Sequence, residues 1–147
     1  MIKEFQGQFR WLSNFVPVKI ELGDFTYSSV EHAYMSAKSD NIEWKEFCAF
    51  SNNTPGDVKR KSRSIKLKSD WEKIKITVME ECLNQKFRQE PYKSKLLATK
   101  NTHIQEGNNW NDKFWGVCLK TNKGENNLGK LIMKIRDTLR LEQATNE

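Results

Sequence analysis

Two long runs of apolar residues at helical spacing constrain this chain more than any other feature. Between Trp71 and about Arg88, Trp71, Ile74, Val78 and Cys82 recur with Met79, Leu83 and Phe87, the period of an amphipathic helix with one buried face. A second run starts near Asn127 and lines up Leu128, Leu131, Ile132, Ile135 and Leu139. Asp70 is placed to cap the first run. Such stripes must be buried against other elements, so the expected class is mainly α. A chain of 147 residues suits a single domain, 1–147.

The shorter segments fill in around these two helices. KIELGDFTY sets Ile20 and Leu22, then Gly23-Asp24, then Phe25 and Tyr27, which predicts a small N-terminal β-hairpin. SSVEHAYMSAK follows, where Ser28 three before Glu31 fits a capping box and Val30, Ala33, Tyr34 and Ala37 share one side of a helix. A further helix is expected over 43–50. Thr54-Pro55-Gly56-Asp57 reads as a helix start, with Thr as cap, Pro at the first helical position and Asp in the first turn. Pro91 interrupts the helical pattern, a helix is expected over 94–98, and the Gly/Asn-rich HIQEGNNWNDKFWG argues against regular structure.

Composition narrows the function classes. Charged residues make up 30% and apolar residues 37%, a globular balance, and no apolar run is long enough to span a bilayer. The opening MIKEFQGQFRWLS lacks the apolar core of a signal peptide, so a cytoplasmic location is expected. Cys48, Cys82 and Cys118 are far apart and form no CxxC pair, which fits buried small hydrophobes better than a disulfide framework or zinc site. The net charge of +6 favours anionic partners such as phosphate esters, nucleotides or nucleic acid. Lys59, Arg60, Lys61, Arg63, Lys66 and Lys68 crowd one segment of it.

Several positions carry side chains suited to chemistry. At 100° per residue, Glu31 and Lys38 fall on one edge of the apolar stripe of VEHAYMSAK, about 10 Å apart along the axis. They are either boundary charges, Glu31 serving as the capping-box glutamate, or a carboxylate and an amine converging on one bound group. FRWLSNF mixes aromatics with Arg10, Ser13, Asn14 and Phe15, a set that can stack on a base and bond a phosphate or ribose, or simply dock the segment on a core. In TPGDVKRKSR, Lys59 and Arg60 follow a helix start and could receive a phosphate or form a solvated basic face. Trp110, Asp112, Trp115 and Gly116 lie in a polar loop, where Asp112 could face a developing sugar cation or cap a turn. His32 and His103 have no carboxylate or cysteine cluster beside them and read as a helix-boundary and a loop histidine. No motif calls for a metal or a cofactor.

In order, FRWLSNF, YSSVEHAYMSAK, TPGDVKRKSR, DWEKIKITVM, KF, LLAT, WNDKFWG and NNLGKLIMKIR resemble one family, the NADAR or YbiA-like proteins, over about Phe5 to Leu139. The resemblance implies a mainly α, single YbiA-like helical domain with N-glycosidase activity on ribosylated bases. Members cleave ribosylaminopyrimidine intermediates of riboflavin synthesis or remove ADP-ribose from guanine in nucleic acid. Carried over by position, Glu31, Lys38 and Asp112 are the expected catalytic groups. Arg10, Ser13, Asn14, Phe15, Tyr34, Lys59, Arg60, Trp71, Trp110, Trp115 and Gly116 are the expected substrate-binding residues. Three departures bear on substrate choice: Asn111 stands for the usual glycine, Met35 where glutamine is common, and Lys61-Ser62 for Leu-Gly.

The reaction implied is hydrolysis of the bond between C1 of a phosphorylated ribose, or of ADP-ribose, and a base amine. The partners implied are an ADP-ribose or ribose-phosphate substrate, free or carried on nucleic acid, and no membrane. A noncatalytic ADP-ribose or nucleic-acid binding module would use the same aromatic and basic surface.

Overall fold

A computed structural model of the chain describes residues 1–146. The molecule is mainly helical with an antiparallel hairpin near its start, the class the sequence implied. The chain divides into two compact units, Asn14–Lys86 and Met1–Ser13 together with the chain from Phe87.

In the unit Asn14–Lys86, strands β1 (Ile20–Leu22) and β2 (Phe25–Tyr27) pair antiparallel, with Ile20 opposite Tyr27 and Leu22 opposite Phe25. Gly23 supplies the left-handed backbone, φ +59°, that the tight turn needs. Helix α1 is Val30–Ser36, α2 is Ile42–Ala49 and α3 is Pro55–Lys61; α1 packs on both of the others and on the hairpin. Val30, Ala33, Cys48 and Val58 are buried along these contacts. Helix α4, Trp71–Phe87, buries Trp71, Met79, Cys82, Leu83 and Phe87, the stripe its spacing predicted.

The cap of α1 is not the one the sequence predicts. Ser28 keeps an extended link to the hairpin, its carbonyl accepting from the Val18 N–H at 3.0 Å. Ser29 therefore takes the cap, its hydroxyl accepting from the His32 N–H at 3.1 Å. The helix also stops short of Lys38. Ala37 is its C-cap, the Lys38 N–H bonds the Met35 carbonyl, and the Lys38 carbonyl is taken by the Lys68 N–H at 2.8 Å.

Helix α3 starts as predicted. The Thr54 hydroxyl accepts from the Asp57 N–H, the Asp57 carboxylate accepts from the Thr54 N–H, both at 3.0 Å, and Pro55 leads the helix. The Arg60 guanidinium and these cap bonds hold the Asp57 carboxyl at about 2, below its ordinary 3.8. The folded state thus binds this proton more weakly than the unfolded chain, so the box stabilises fully above pH 3.8 and loses its effect as pH falls toward 2. Thr54→Ala is expected to cost about 1 kcal/mol at neutral pH. Urea unfolding at pH 7 and pH 2.5 checks this, since the difference from wild type should shrink in acid.

In the other unit, a 3₁₀ helix spans Gly7–Leu12, α5 is Tyr92–Ala98 and α6 is Asn127–Thr145. Leu128, Ile132, Ile135 and Leu139 of α6 are buried, and α6 packs on α5. Arg136 is buried too, donating to the Thr99 hydroxyl at 2.9 Å and the Thr102 carbonyl at 2.7 Å, so it closes the carbonyl end of α5. The polar loop is more ordered than its composition implies. Within it β3 (Gly107–Asn108) pairs parallel with β4 (Val117–Cys118). Two residues on each side leave no alternation for a sequence pattern to show.

Candidate active site

The expected site residues fall into two groups, one in each unit, and the boundary runs through FRWLSNF itself, between Ser13 and Asn14. In the unit Asn14–Lys86, the Glu31 N–H donates to the Asn14 carbonyl at 3.0 Å, fixing the start of α1 to the segment that carries Phe15. Glu31 is 6% exposed. The cap bond at this helix start is supplied by Ser29, and a charge is seldom buried without a partner or a task.

Lys38 lies two residues past the end of α1, its Nζ 5.8 Å from the centroid of the Tyr34 ring, within cation–π range. Tyr34 in turn meets Trp71, the first residue of α4, with centroids 5.1 Å apart and planes tilted by 53°. Both rings are buried, so they back and shape the lysine rather than present a free stacking face. Across the same unit the Lys59 Nζ sits 5.8 Å from the Phe15 centroid.

The protonation of Lys38 follows from this setting. Burial depresses its pKa below the ordinary 10.5; Glu31 pulls it back up, while Lys59 and Lys75 push it further down. Desolvation beside other amines is the means by which a lysine becomes a nucleophile at neutral pH. Lys75 was not anticipated. It pairs with Glu72 at 2.6 Å, and the signal for it is position: it lies four residues after Trp71, on the same face of α4.

Arg60 does something other than expected of a phosphate ligand. Its guanidinium turns back along α3 to Asp57 at 2.9 Å, an exposed pair of little energetic weight. The Ser62 hydroxyl donates to the Lys59 carbonyl at 2.6 Å and helps end α3. Met35 is buried, and its carbonyl accepts from the Trp44 indole N–H at 2.9 Å.

The second group is built on the loop between β3 and β4. Asp112 Oδ1 accepts from the N–H groups of Phe114, at 3.1 Å, and Trp115, at 2.9 Å, the turn-capping use of an aspartate. The Asn108 side chain accepts from the Asp112 N–H and donates to the Asp112 carbonyl and to Glu106 Oε2. Asn126, itself buried, accepts from the Glu106 N–H and donates to the Ile104 carbonyl, both at 2.9 Å. None of Glu106, Asn108 and Asn126 stood out in the sequence, because long-range polar bonds leave no periodic trace. On the loop so fixed, Trp110 is 58% exposed while Trp115 meets Phe114 edge to face at 4.9 Å. Asn111 adopts φ +65°, a left-handed conformation that glycine takes freely and asparagine tolerates. The departure from glycine there is thus compatible with the same turn. Arg10 lies exposed in the 3₁₀ helix, and the Ser13 N–H donates to its carbonyl at 2.9 Å.

Among the described residues, no group of three or more His, Cys, Asp or Glu is placed to hold a metal ion, and no helix is long and apolar enough to cross a membrane. The three cysteines are free and buried. Burial pushes the thiols of Cys48 and Cys82 up to about 12, which makes them inert. The backbone N–H of Lys120 holds that of Cys118 below its ordinary value.

Lys38 with its lowered pKa, the buried Glu31 and the Tyr34–Trp71 ring pair gather chemically capable side chains in one unit, and several relatives of the chain are named N-glycosidase. The chain belongs to the NADAR domain family, whose model matches residues 2–140. It is 31% identical over 133 residues to N-glycosidase YbiA of Escherichia coli K12, covering 89% of this chain and 82% of that one. It is likewise 31% identical over 132 residues to a riboflavin biosynthesis protein of Vibrio vulnificus. That match takes in 88% of this chain but spans about a third of the longer relative, 35%. The NMR structure of E. coli YbiA superposes with a TM-score of 0.83 at 27% identity, covering 98% of this chain and 89% of that one.

Proposed function

We propose that this protein is an N-glycosidase that hydrolyses the bond between C1 of a phosphorylated ribose, or of ADP-ribose, and an exocyclic base amine. The observation that carries this reading is Lys38: a half-buried amine, depressed by desolvation and by Lys59 and Lys75, with the charge of Glu31 acting on it. Family membership points the same way, since relatives are named N-glycosidase and riboflavin biosynthesis protein.

The proposed chemistry uses Lys38 in its unprotonated form, which a lowered pKa makes easier to reach, with the charge of Glu31 acting on it. In the ring-opened sugar, C1 is doubly bonded to the base nitrogen. The Lys38 lone pair adds to C1, both bonds from C1 to the base nitrogen break in turn, and the base amine leaves with the two protons that the Lys38 nitrogen gives up, passed one after the other through Glu31. C1 is then held as a Schiff base on Lys38. Water adds to C1, the sugar departs as the aldehyde, and the lysine is restored. Lys59, over the Phe15 ring, supplies a cation for the sugar phosphate. In the variant without a covalent step, Glu31 or Asp112 stabilises an oxocarbenium-like state and activates water. The bonds to Asp112 Oδ1 from Phe114 and Trp115 weigh against that role for Asp112.

Incubation with ADP-ribosylguanine DNA and with a ribosylaminouracil phosphate, followed by mass analysis, tests the reading. Release of the free base amine from at least one is expected, with Glu31→Gln slowing it by about 10² to 10⁴-fold. Binding without turnover, unchanged in Glu31→Gln, would instead mark a noncatalytic ADP-ribose or nucleic-acid binding module.

A further inference from the structure

His32 follows Glu31 directly, is 2% exposed and uses every polar atom it has. Its backbone N–H donates to the Ser29 hydroxyl at 3.1 Å, and its Nδ1 lies 2.6 Å from that same oxygen. Its Nε2 lies 2.7 Å from the carbonyl oxygen of Asn53. A carbonyl only accepts, so Nε2 carries a proton and donates to it. In the neutral ring with its proton on Nε2, Nδ1 is an acceptor, so the Ser29 hydroxyl donates to it. One tautomer thus satisfies both ends of the ring. Asn53 is tied down from its other side as well, its side-chain amide donating to the Phe47 carbonyl at 2.9 Å. The next residue, Thr54, caps α3, and α3 carries Lys59.

We infer that His32 is a positioning residue: through its imidazole it clamps the start of α1, which carries Glu31, to the residue preceding α3, which carries Lys59. The helix cap alone needs only Ser29 and the His32 backbone, so a ring at this position is surplus to capping. What the ring adds is the bond to Asn53, 21 residues away in sequence. The clamp sets the spacing between the carboxylate that moves the proton and the cation offered to the sugar phosphate. It rests on the hydrolase reading for its catalytic consequence.

The two ends of the clamp can be cut separately. In His32→Gln the amide nitrogen reaches the place of Nε2 and keeps the bond to Asn53; in His32→Asn the side chain is shorter and keeps only the partner at Ser29. The expected result is a kcat for H32Q close to wild type and one for H32N lower by about 10²-fold, the cost of misplacing a reacting group by roughly 1 Å. The two variants should melt at similar temperatures. Imidazole ¹⁵N spectra of the unliganded wild type should show the Nε2–H tautomer. An active wild type with the Nδ1–H tautomer, with H32N matching H32Q, or with losses that simply track melting temperature would overturn the clamp alone. A wild type with no turnover on either substrate, its tautomer intact, would overturn the hydrolase reading and the clamp's catalytic role with it.

Discussion

Lys38→Ala is expected to abolish turnover, by about 10³-fold or more if the amine is the nucleophile. The same variant should lose a borohydride-reducible adduct that the wild type forms with its substrate. Normal turnover in Lys38→Ala would end the covalent mechanism and leave Glu31 with water as the working pair. The amine's environment also fixes a sign for stability. The folded protein binds the Lys38 proton more weakly than the unfolded chain does, because burial and then Lys59 and Lys75 outweigh Glu31. The ammonium therefore destabilises the fold at every pH below its depressed pKa, and that penalty fades as pH rises toward the ordinary 10.5. Lys38→Met, which keeps the stem and removes the charge, is expected to melt higher than wild type at pH 7 while remaining inactive. The acid limb of kcat against pH should rise as Lys38 loses its proton.

Gly116→Ala is the second large effect, and it acts through packing. An added Cβ would lie 1.8 Å from Glu106 Oε2, 2.1 Å from the Glu106 carbonyl oxygen and 2.8 Å from Asn108 Nδ2. Side-chain motion could relieve the first clash, but the second is with backbone that pairs through the Val117 N–H at 2.8 Å. The strand pair must shift, at a cost of about 1–3 kcal/mol or more. Gly56→Ala makes the control: its Cβ would meet only Thr54 Oγ1 at 3.8 Å, in the first turn of a helix. That change is expected to raise stability by about 0.4–1 kcal/mol. Urea midpoints moving in opposite directions for the two alanines would confirm that Gly116 serves a close approach, not a ligand contact.

Much of the scaffold was legible because it rests on local rules. The α4 and α6 stripes, the Thr54 cap and the Gly23 turn each depend on residues within a few positions of one another, and they were legible, although Ile74 and Val78 of the α4 stripe are only half-buried. Misreadings occur where distant bonds decide local geometry. Ser28 and Ser29 are equal as caps until the Val18 N–H claims the Ser28 carbonyl. Lys38 continues the helical pattern until Lys68 takes its carbonyl. The β3–β4 pair and the 3₁₀ helix at Gly7–Leu12 are too short to print a period. In the candidate site, helical spacing put Glu31 and Lys38 on one edge and a helix start singled out Lys59, but only the resemblance to known motifs favoured a joint role over boundary charges. Lys75 and His32 needed coordinates, since neither a charged helix face nor a histidine at a helix start is unusual in sequence.

The one-residue displacement of the α1 cap has an evolutionary consequence. Because the cap bond at the helix start runs from the His32 N–H to the Ser29 hydroxyl, that bond does not depend on position 31, and a Glu codon becomes a Gln codon by a single base change. A lineage could thus silence the chemistry in one step and keep the cap, leaving a duplicate free to drift toward recognition without cleavage.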